Sequence, residues 1–411
     1  MEISDFRTEA REWLEANAAL RPAVAQDSPD AEWGVGSDSV AVFENVSEDE
    51  ERERTDRISK WQRRKYDAGF GAISWPTELG GRGLSPAHEL AFRREEARFE
   101  TPGFNELFGV TMGLVAPTIA IFGTDEQKER FVPALLRTDL LACQLFSEPG
   151  AGSDLASVSC RAERVGDGWR VTGQKVWTSG ARVAHYGEAI CRTDPSAPKH
   201  HGMTAFMVPL DAPGVEVRPI RQMTGGSTFN EVFLEDVFVP DDLRLGALGD
   251  GWKVALTTLG FERGVSASGQ GEGLGGSYRR LAALARHLGR DAEPPVRQLM
   301  ARLYTGERLL SMLGHRARAA MEDGRPPGPE ASVGKVLWTQ NMRLTSDVAS
   351  MLLGPRLAAD TGEWGTYAWT EHLLGAPGYR IAGGSDEVQR NIIGERVLGL
   401  PREPKPVTEV A

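Results

Sequence analysis

The chain has 411 residues, a formal net charge of −11, 40% hydrophobic and 26% charged residues. That length holds a large core and more than one domain, and the balance is ordinary for a soluble globular protein. The acidic surplus argues against a general affinity for nucleic acid or an anionic membrane, so an anionic ligand must be held by local donors.

The N-terminal stretch MEISDFRTEAREWLEANAAL is charged and amphipathic, with Ile3, Phe6, Ala10, Trp13 and Leu14 at helical spacing. It has no apolar h-region, so a helix is expected and not a signal peptide. Residues 22–50 are polar, acidic and broken by Pro and Gly, which reads as a long loop, a lid or an interface arm. SEDEERERTDRISKWQRRKYDAGF reads as a long charged helix with an apolar stripe. SPAHELAFRREEARFE and TDEQKERFVPALL read as capped helices opened by Ser85 and Thr124.

From about residue 140 to 242 the period becomes two. GWRVTGQKVWTSG alternates, and the GDG before it signals a hairpin. GMTAFMVPL, VEVRPIRQM and NEVFLEDVFVP follow at short intervals, suggesting a small antiparallel barrel or sandwich. From Gly251 the helical period returns, and SYRRLAALARHLG, EPPVRQLMARLYTGERLLSMLGHRARAAME and ASVGKVLWTQNMRLTSDVASMLLG predict an antiparallel helical bundle. Near the end, Gly383 and Gly384 give a turn before a helix that Ser385 or Asp386 would cap.

There is no GxGxxG after a strand, no P-loop and no stretch approaching the ~20 apolar residues of a membrane span. Cys143, Cys160 and Cys191 form no CxxC pair or Cys/His cluster, so free thiols in a reducing cytoplasm are expected and no metal site.

The densest group of small and polar residues is QLFSEPGAGSDLAS, Gln144 to Ser157, whose backbone can approach a ligand closely. A plain turn into the β domain is the competing reading. Farther on, KVWTSGA sets Trp177 beside Thr178 and Ser179. A Trp in a strand is usually core, but these hydroxyls would suit the edge of a flat heteroaromatic ring that the indole covers.

With these motifs in view the chain resembles the acyl-CoA dehydrogenase family. SWPTELGGRGLS, GTDEQKERFVPALL, FSEPGAGSD, GQKVWTSGA, EVFLEDVFVPDD and EVQRNIIGERVLGLPR match its pattern in order along nearly the whole chain. The resemblance implies an α+β fold: a helical domain over 1–139, a middle antiparallel β domain over 140–243 and a C-terminal four-helix bundle over 244–411. It implies FAD as cofactor, an acyl-CoA thioester as substrate and an electron-transfer flavoprotein or similar acceptor as partner. Residue by residue, it places Gln144, Phe146, Ser147, Gly152, Ser153, Trp177, Thr178 and Ser179 at the cofactor, with Ser179 near flavin N5. Ser385 and Glu387 join the cofactor set, while Ser153, Arg263, Gly383 and Gly384 are expected at the substrate.

The implied reaction is α,β-desaturation, which needs a carboxylate base for the α-proton. Many members carry that Glu where this chain has Gly383. Others carry it in a Glu-Arg pair on the first long helix of the C-terminal domain, where this chain has Glu262 and Arg263. On residues alone Glu262 would be a solvated helix charge; the resemblance makes it the catalytic base. It makes the Gly383 N–H a hydrogen-bond donor for the thioester oxygen, with room near the reacting carbons for a branched or bulky acyl group. Glu148 reads as structural, and Asp386 and Glu387 as helix caps or ribose contacts.

The family's Arg-x-x-Phe and Gln-before-Gly-Gly segments, which hold FAD across a subunit interface, are not intact in ARHLGRDAEPPVRQ and SMLLGPR. A hetero-oligomer with a related chain therefore stands beside a homo-oligomer. The alternatives are a flavin oxidase or monooxygenase on the same fold, and a non-catalytic partner subunit.

Overall fold

The structure is a computed structural model that describes residues 1–21, 33–34, 37–43, 45–103, 105–267, 276, 278–322 and 328–402, with backbone alone at 263–267, 318 and 321–322. Two compact units emerge: one takes in 1–31 and 43–265, the other 32–42 and 266–411.

The first unit opens with α1 (Ile3–Asn17), whose Phe6, Ala10 and Leu14 are completely buried while Ile3 stays exposed. This i, i+4, i+8 stripe packs with Trp61, Phe70, Phe92 and Phe99. Each large side chain so buried contributes about 1.5–3 kcal/mol. Helix α2 (Glu48–Asp67) starts from Ser47, which accepts the Glu50 N–H while the Glu50 carboxylate accepts the Ser47 N–H. This reciprocal cap ends the expected loop at residue 47 and not at 50.

Helix α3 (Pro86–Glu96) begins after Ser85, but the expected side-chain cap does not form. The residue three positions on is His88, and the Ser85 hydroxyl bonds its Nδ1 at 2.8 Å instead. Short helix α4 (Glu106–Phe108), a π-type segment (Gly109–Val115) and α5 (Ala116–Phe122) follow one another. Helix α6 (Asp125–Arg137) has the expected Thr124–Gln127 box. Gln127 Nε2 also donates to the carbonyls of Asp242 and Arg244, tying the helical zone to the end of the β domain.

The strands are β1 (Ala142–Leu145), β2 (Arg161–Val165), β3 (Gly168–Ser179), β4 (Tyr186–Arg192), β5 (Met203–Pro209), β6 (Val215–Pro219), β7 (Phe229–Pro240) and β8 (Arg244–Leu245). They form one eight-stranded sheet of order β6-β7-β3-β2-β4-β5-β8, with β1 on β4. The GDG hairpin forms as expected: Val165 pairs with Gly168, and Gly166 takes the left-handed conformation at φ 59°. The sheet departs from pure antiparallel pairing where β1 runs parallel to β4. The whole β2–β3 hairpin lies between them in sequence, so no tight turn forces the antiparallel sense.

Helix α7 (Gly251–Ala267) buries Val254 and Ala255 in the core of this first unit, with Phe131, Leu145, Val171 and Phe206. In the second unit α8 (Tyr278–His287), α9 (Pro294–Glu322), α10 (Ala331–Leu353) and α11 (Ala368–Tyr379) enclose Leu281, Leu284, Val296, Leu303, Val348, Leu352 and Trp369. Val40 is buried with them, and Trp33 stacks on His287 at 4.5 Å. The described part of the acidic loop thus has partners of its own. The chain ends, as described, with α12 (Asp386–Ile392) and a π-type turn (Ile393–Val397). No described helix is long and apolar enough to cross a membrane.

Candidate active site

The Gln144–Asp154 loop leaves β1 and is held by one buried ion pair. Lys175 on β3 is completely buried, and its three donors go to the Glu148 carboxylate (2.9 Å), the Phe146 carbonyl (3.1 Å) and the Ile190 carbonyl (2.8 Å). Glu148 also accepts from the N–H groups of Ser159 and Cys160. Burial works against its charge, but Lys175 and these N–H groups prevail and hold the carboxyl below its usual range. The Val176 N–H donates to the Ser147 carbonyl at 2.9 Å. Glu148 and Ala151 exchange both backbone hydrogen bonds, leaving Gly152 and Ser153 exposed at the tip. A Cβ added at Gly150 or Gly152 would meet nothing within 4 Å, so the approach to this backbone is open.

One strand turn farther, simple alternation breaks. The β3–β7 register shifts between Lys175 and Thr178, and Trp177 sits at φ 63°. An aromatic residue in this region costs about 1–3 kcal/mol and marks a site where the backbone re-aims a side chain. The indole is turned outward and is 59% exposed, with its edge toward Phe229. Thr178 is buried with a hydroxyl that lacks a partner, and Asn230, which donates to the Thr178 carbonyl, keeps an unpaired side-chain oxygen. Gln144 Nε2 is likewise buried and unpaired. Such orphans ordinarily find partners, so several in one region point to a polar ligand.

Behind these lies a second buried carboxyl. Glu188 on β4 is inaccessible to solvent and accepts the Thr258 hydroxyl at 2.8 Å; Thr258 also bonds Thr118 at 2.9 Å. This contact pins α7 one turn before Glu262, which is half-buried on the same helix. Burial raises the Glu188 carboxyl from 4.5 to about 8. The fold therefore keeps it protonated, and stability present below pH 4.5 is lost as pH rises toward about 8. Near pH 7 the cost is about 3 kcal/mol. Glu188→Gln removes this proton linkage, so its gain in melting temperature over the native protein should be absent below pH 4.5 and grow up to about pH 8. Parallel melting curves across that range check this, and a pH-independent difference would contradict it.

The second unit carries the other expected residues. Gly383 and Gly384 both have left-handed φ, 63° and 84°. Glycine is thus required there by backbone conformation, a reason separate from any room it leaves. Their carbonyls are held by Gln389 Nε2 and Lys335 Nζ, each at 2.8 Å, and the Gly383 N–H has no partner among the described residues. Ser385 caps α12 through its side chain. Asp386 is neither cap nor free carboxylate: it is buried, bonded to Thr339 (2.8 Å) and paired with Arg380 (2.9 Å). Burial opposes its charge, but these partners hold its carboxyl below the usual range. Glu387 is exposed and lies 3.8 Å from Arg390. The Arg263 side chain lies outside the described residues.

Three comparisons give this arrangement its class. Profiles of the acyl-CoA dehydrogenase N-terminal, middle and C-terminal domains match residues 41–139, 143–237 and 249–398. The chain belongs to the acyl-CoA dehydrogenase family. It is 40% identical to acyl-CoA dehydrogenase IpdE1 of Mycobacterium tuberculosis, over 98% of this chain and 99% of that one. Among solved structures, Tcur3481-Tcur3483 steroid ACAD covers 98% of both chains at 28% identity and TM-score 0.73. The ChsE4-ChsE5 complex from Mycobacterium tuberculosis matches at 28% identity and TM-score 0.68, over 98% of each chain. The protein is accordingly an FAD-dependent acyl-CoA dehydrogenase, a flavoprotein oxidoreductase of lipid metabolism.

The residues present fit such a cofactor: an outward indole platform, the unpaired Thr178 hydroxyl and Gln144 amide beside it, and an open glycine loop. Reading the sequence missed Lys175, Glu188, Asn230 and Glu106. Lys175 had a signal, since it shares inward parity with Trp169 and Val171 on β3. The others gave none, because their partners come from distant strands and helices.

Trp177→Gly tests the platform. Glycine accepts φ 63° without strain and the indole is exposed, so stability should stay within about 1 kcal/mol. Flavin affinity should fall at least ~10-fold, since stacking on an aromatic side chain is worth about 1–3 kcal/mol. Urea melts and a flavin fluorescence titration measure the two separately, and unchanged affinity would count against the platform.

Proposed function

We propose that Glu262 removes the α-proton of an acyl-CoA thioester while hydrogen leaves Cβ for the flavin edge lined by Trp177, Thr178 and Ser179. The observation that carries this is the exposed Trp177 on left-handed backbone, beside a buried hydroxyl with no partner. FAD, when bound, supplies the two-electron acceptor that takes the Cβ hydrogen. Everything else falls to the chain. The Lys175–Glu148 pair fixes the Phe146–Ser147 backbone, so Phe146, Ser147, Gly152 and Ser153 present a constant surface. An α-C–H is weakly acidic, so the base must be placed without reorganisation. Thr258, tied to Glu188 and Thr118, fixes the helix that carries Glu262. In the second unit the unpaired Gly383 N–H is a donor of the kind a developing enolate oxygen needs, and Ser385 and Glu387 are offered for the cofactor.

A bulky, ring-bearing acyl group is the substrate class we favour, supported by the likeness to a protein titled steroid ACAD. A hetero-oligomer with a related chain is favoured by the likeness to the ChsE4-ChsE5 complex and by the altered ARHLGRDAEPPVRQ and SMLLGPR segments. An electron-transfer flavoprotein would receive the electrons. Anaerobic mixing of purified yellow protein with a panel of ring-bearing and straight-chain acyl-CoA thioesters tests the reading. Bleaching by the ring-bearing set supports it. Protein that stays yellow with every thioester overturns it, and colourless protein that takes up flavin only with a second related chain assigns it a partner's role.

A further inference from the structure

The short helix α4 brings one carboxyl to the end of β3, where Glu106 and Ser179 share a side-chain hydrogen bond. Glu106 is open to solvent, yet protein atoms crowd round its carboxyl, as on the floor of a cleft. The contact is held from both sides. Asn105 caps the helix by accepting the Phe108 N–H at 3.3 Å. Leu107 lies so close over Gly180, the residue after Ser179, that a Cβ there would come within 3.0 Å of it. Burial pushes the Glu106 carboxyl up and the Ser179 hydrogen bond works the other way, with no ion pair involved. The nearest cation along the strand exit, Arg182, is committed to Glu51 and the Ser227 carbonyl.

We propose that Glu106 is a positioning residue of the flavin edge, deciding by its own protonation whether the Ser179 hydroxyl offers a proton or a lone pair to the ring atom it faces. This rests on the placement of Ser179 at the reactive flavin nitrogen given above. A serine hydroxyl has one proton. When Glu106 is ionised, that proton goes to the carboxylate and Ser179 faces the ring as an acceptor. When Glu106 is protonated, the carboxyl donates to Ser179, whose own proton turns to the ring. The ring nitrogen accepts a hydrogen bond when oxidised and carries an N–H when reduced. Oxidised flavin therefore favours protonated Glu106, and reduced flavin favours ionised Glu106. On reduction two electrons and one proton reach the ring while one proton leaves Glu106 for solvent. By linkage, the potential responds in turn to the state of Glu106.

The test is the midpoint potential of bound FAD, by anaerobic reductive titration across the range in which a carboxyl of raised pKa titrates. In the native protein the potential should fall with pH less steeply than in Glu106→Gln, the difference reaching one proton per two electrons. Glu106→Asp, which keeps a titrating carboxyl, should retain part of the flattening. Ser179→Ala should abolish the difference between Glu and Gln at position 106. Equal slopes in native protein and Glu106→Gln, with flavin bound to both, overturn this inference alone. A difference that survives Ser179→Ala overturns it as well. Native protein that takes up no FAD in any assembly overturns this inference and the flavin-edge reading together.

Discussion

Glu262→Gln should retain bound flavin with an unchanged spectrum and lose at least ~100-fold in turnover, the scale of losing a general base. The substitution keeps the shape of the side chain and removes only its ability to take a proton. Stability should hardly change, because α7 is fixed by Val254 and Ala255 in the core and by the Thr258–Glu188 contact, all of which remain. The loss should appear in kcat and kcat/KM together, since a base acts in the transition state and adds little to ground-state binding. Turnover near the native rate would remove Glu262 from the mechanism. An unchanged rate of flavin bleaching in single-turnover mixing would do the same.

The second large effect is on stability. Lys175→Met should cost about 3–5 kcal/mol, the usual result of breaking a buried pair from one side. Three acceptors lose their donor at once: the Glu148 carboxylate and the carbonyls of Phe146 and Ile190. Glu148 keeps its bonds from the Ser159 and Cys160 N–H groups, so part of the loop persists. Flavin affinity should fall with stability, because the carbonyl released at Phe146 belongs to the Phe146–Ser147 surface. Replacing both partners, Lys175→Met with Glu148→Gln, should recover much of the loss, since the uncompensated buried charge is gone. Urea unfolding of both single variants and the double variant measures the coupling. A double variant no better than Lys175→Met alone would show that the stranded charge is not the cause.

Local signals located most elements. The two-residue period from 140 to 242 and the helical period on either side correspond to the sheet and to the helices that flank it. The Thr124–Gln127 box formed as its spacing predicts, because capping is decided within four residues. Ser85 went another way for an equally local reason, a histidine where the box needs Glu or Gln. The glycines of the GDG turn, the Gln144–Asp154 loop and the AGGS turn were visible, because no other residue so readily takes left-handed backbone or leaves it open.

The site was legible as a set of ordered motifs and much less as chemistry. Trp177 reads from alternation as a core residue, and only the β3–β7 register shift turns it outward. Glu148 carries no mark of its charged state until Lys175 is beside it. Glu106 and Ser179 stand far apart in sequence, and Glu188 meets Thr258 from another element entirely. By itself, then, the sequence determined the periods, caps, turns and order of motifs, because each is set by neighbours a few residues away. Only the tertiary structure decided which carboxyls are ionised and which protonated, and which aromatic faces out. Burial and pairing are properties of what long-range folding brings alongside a residue, and they outweigh its local preference.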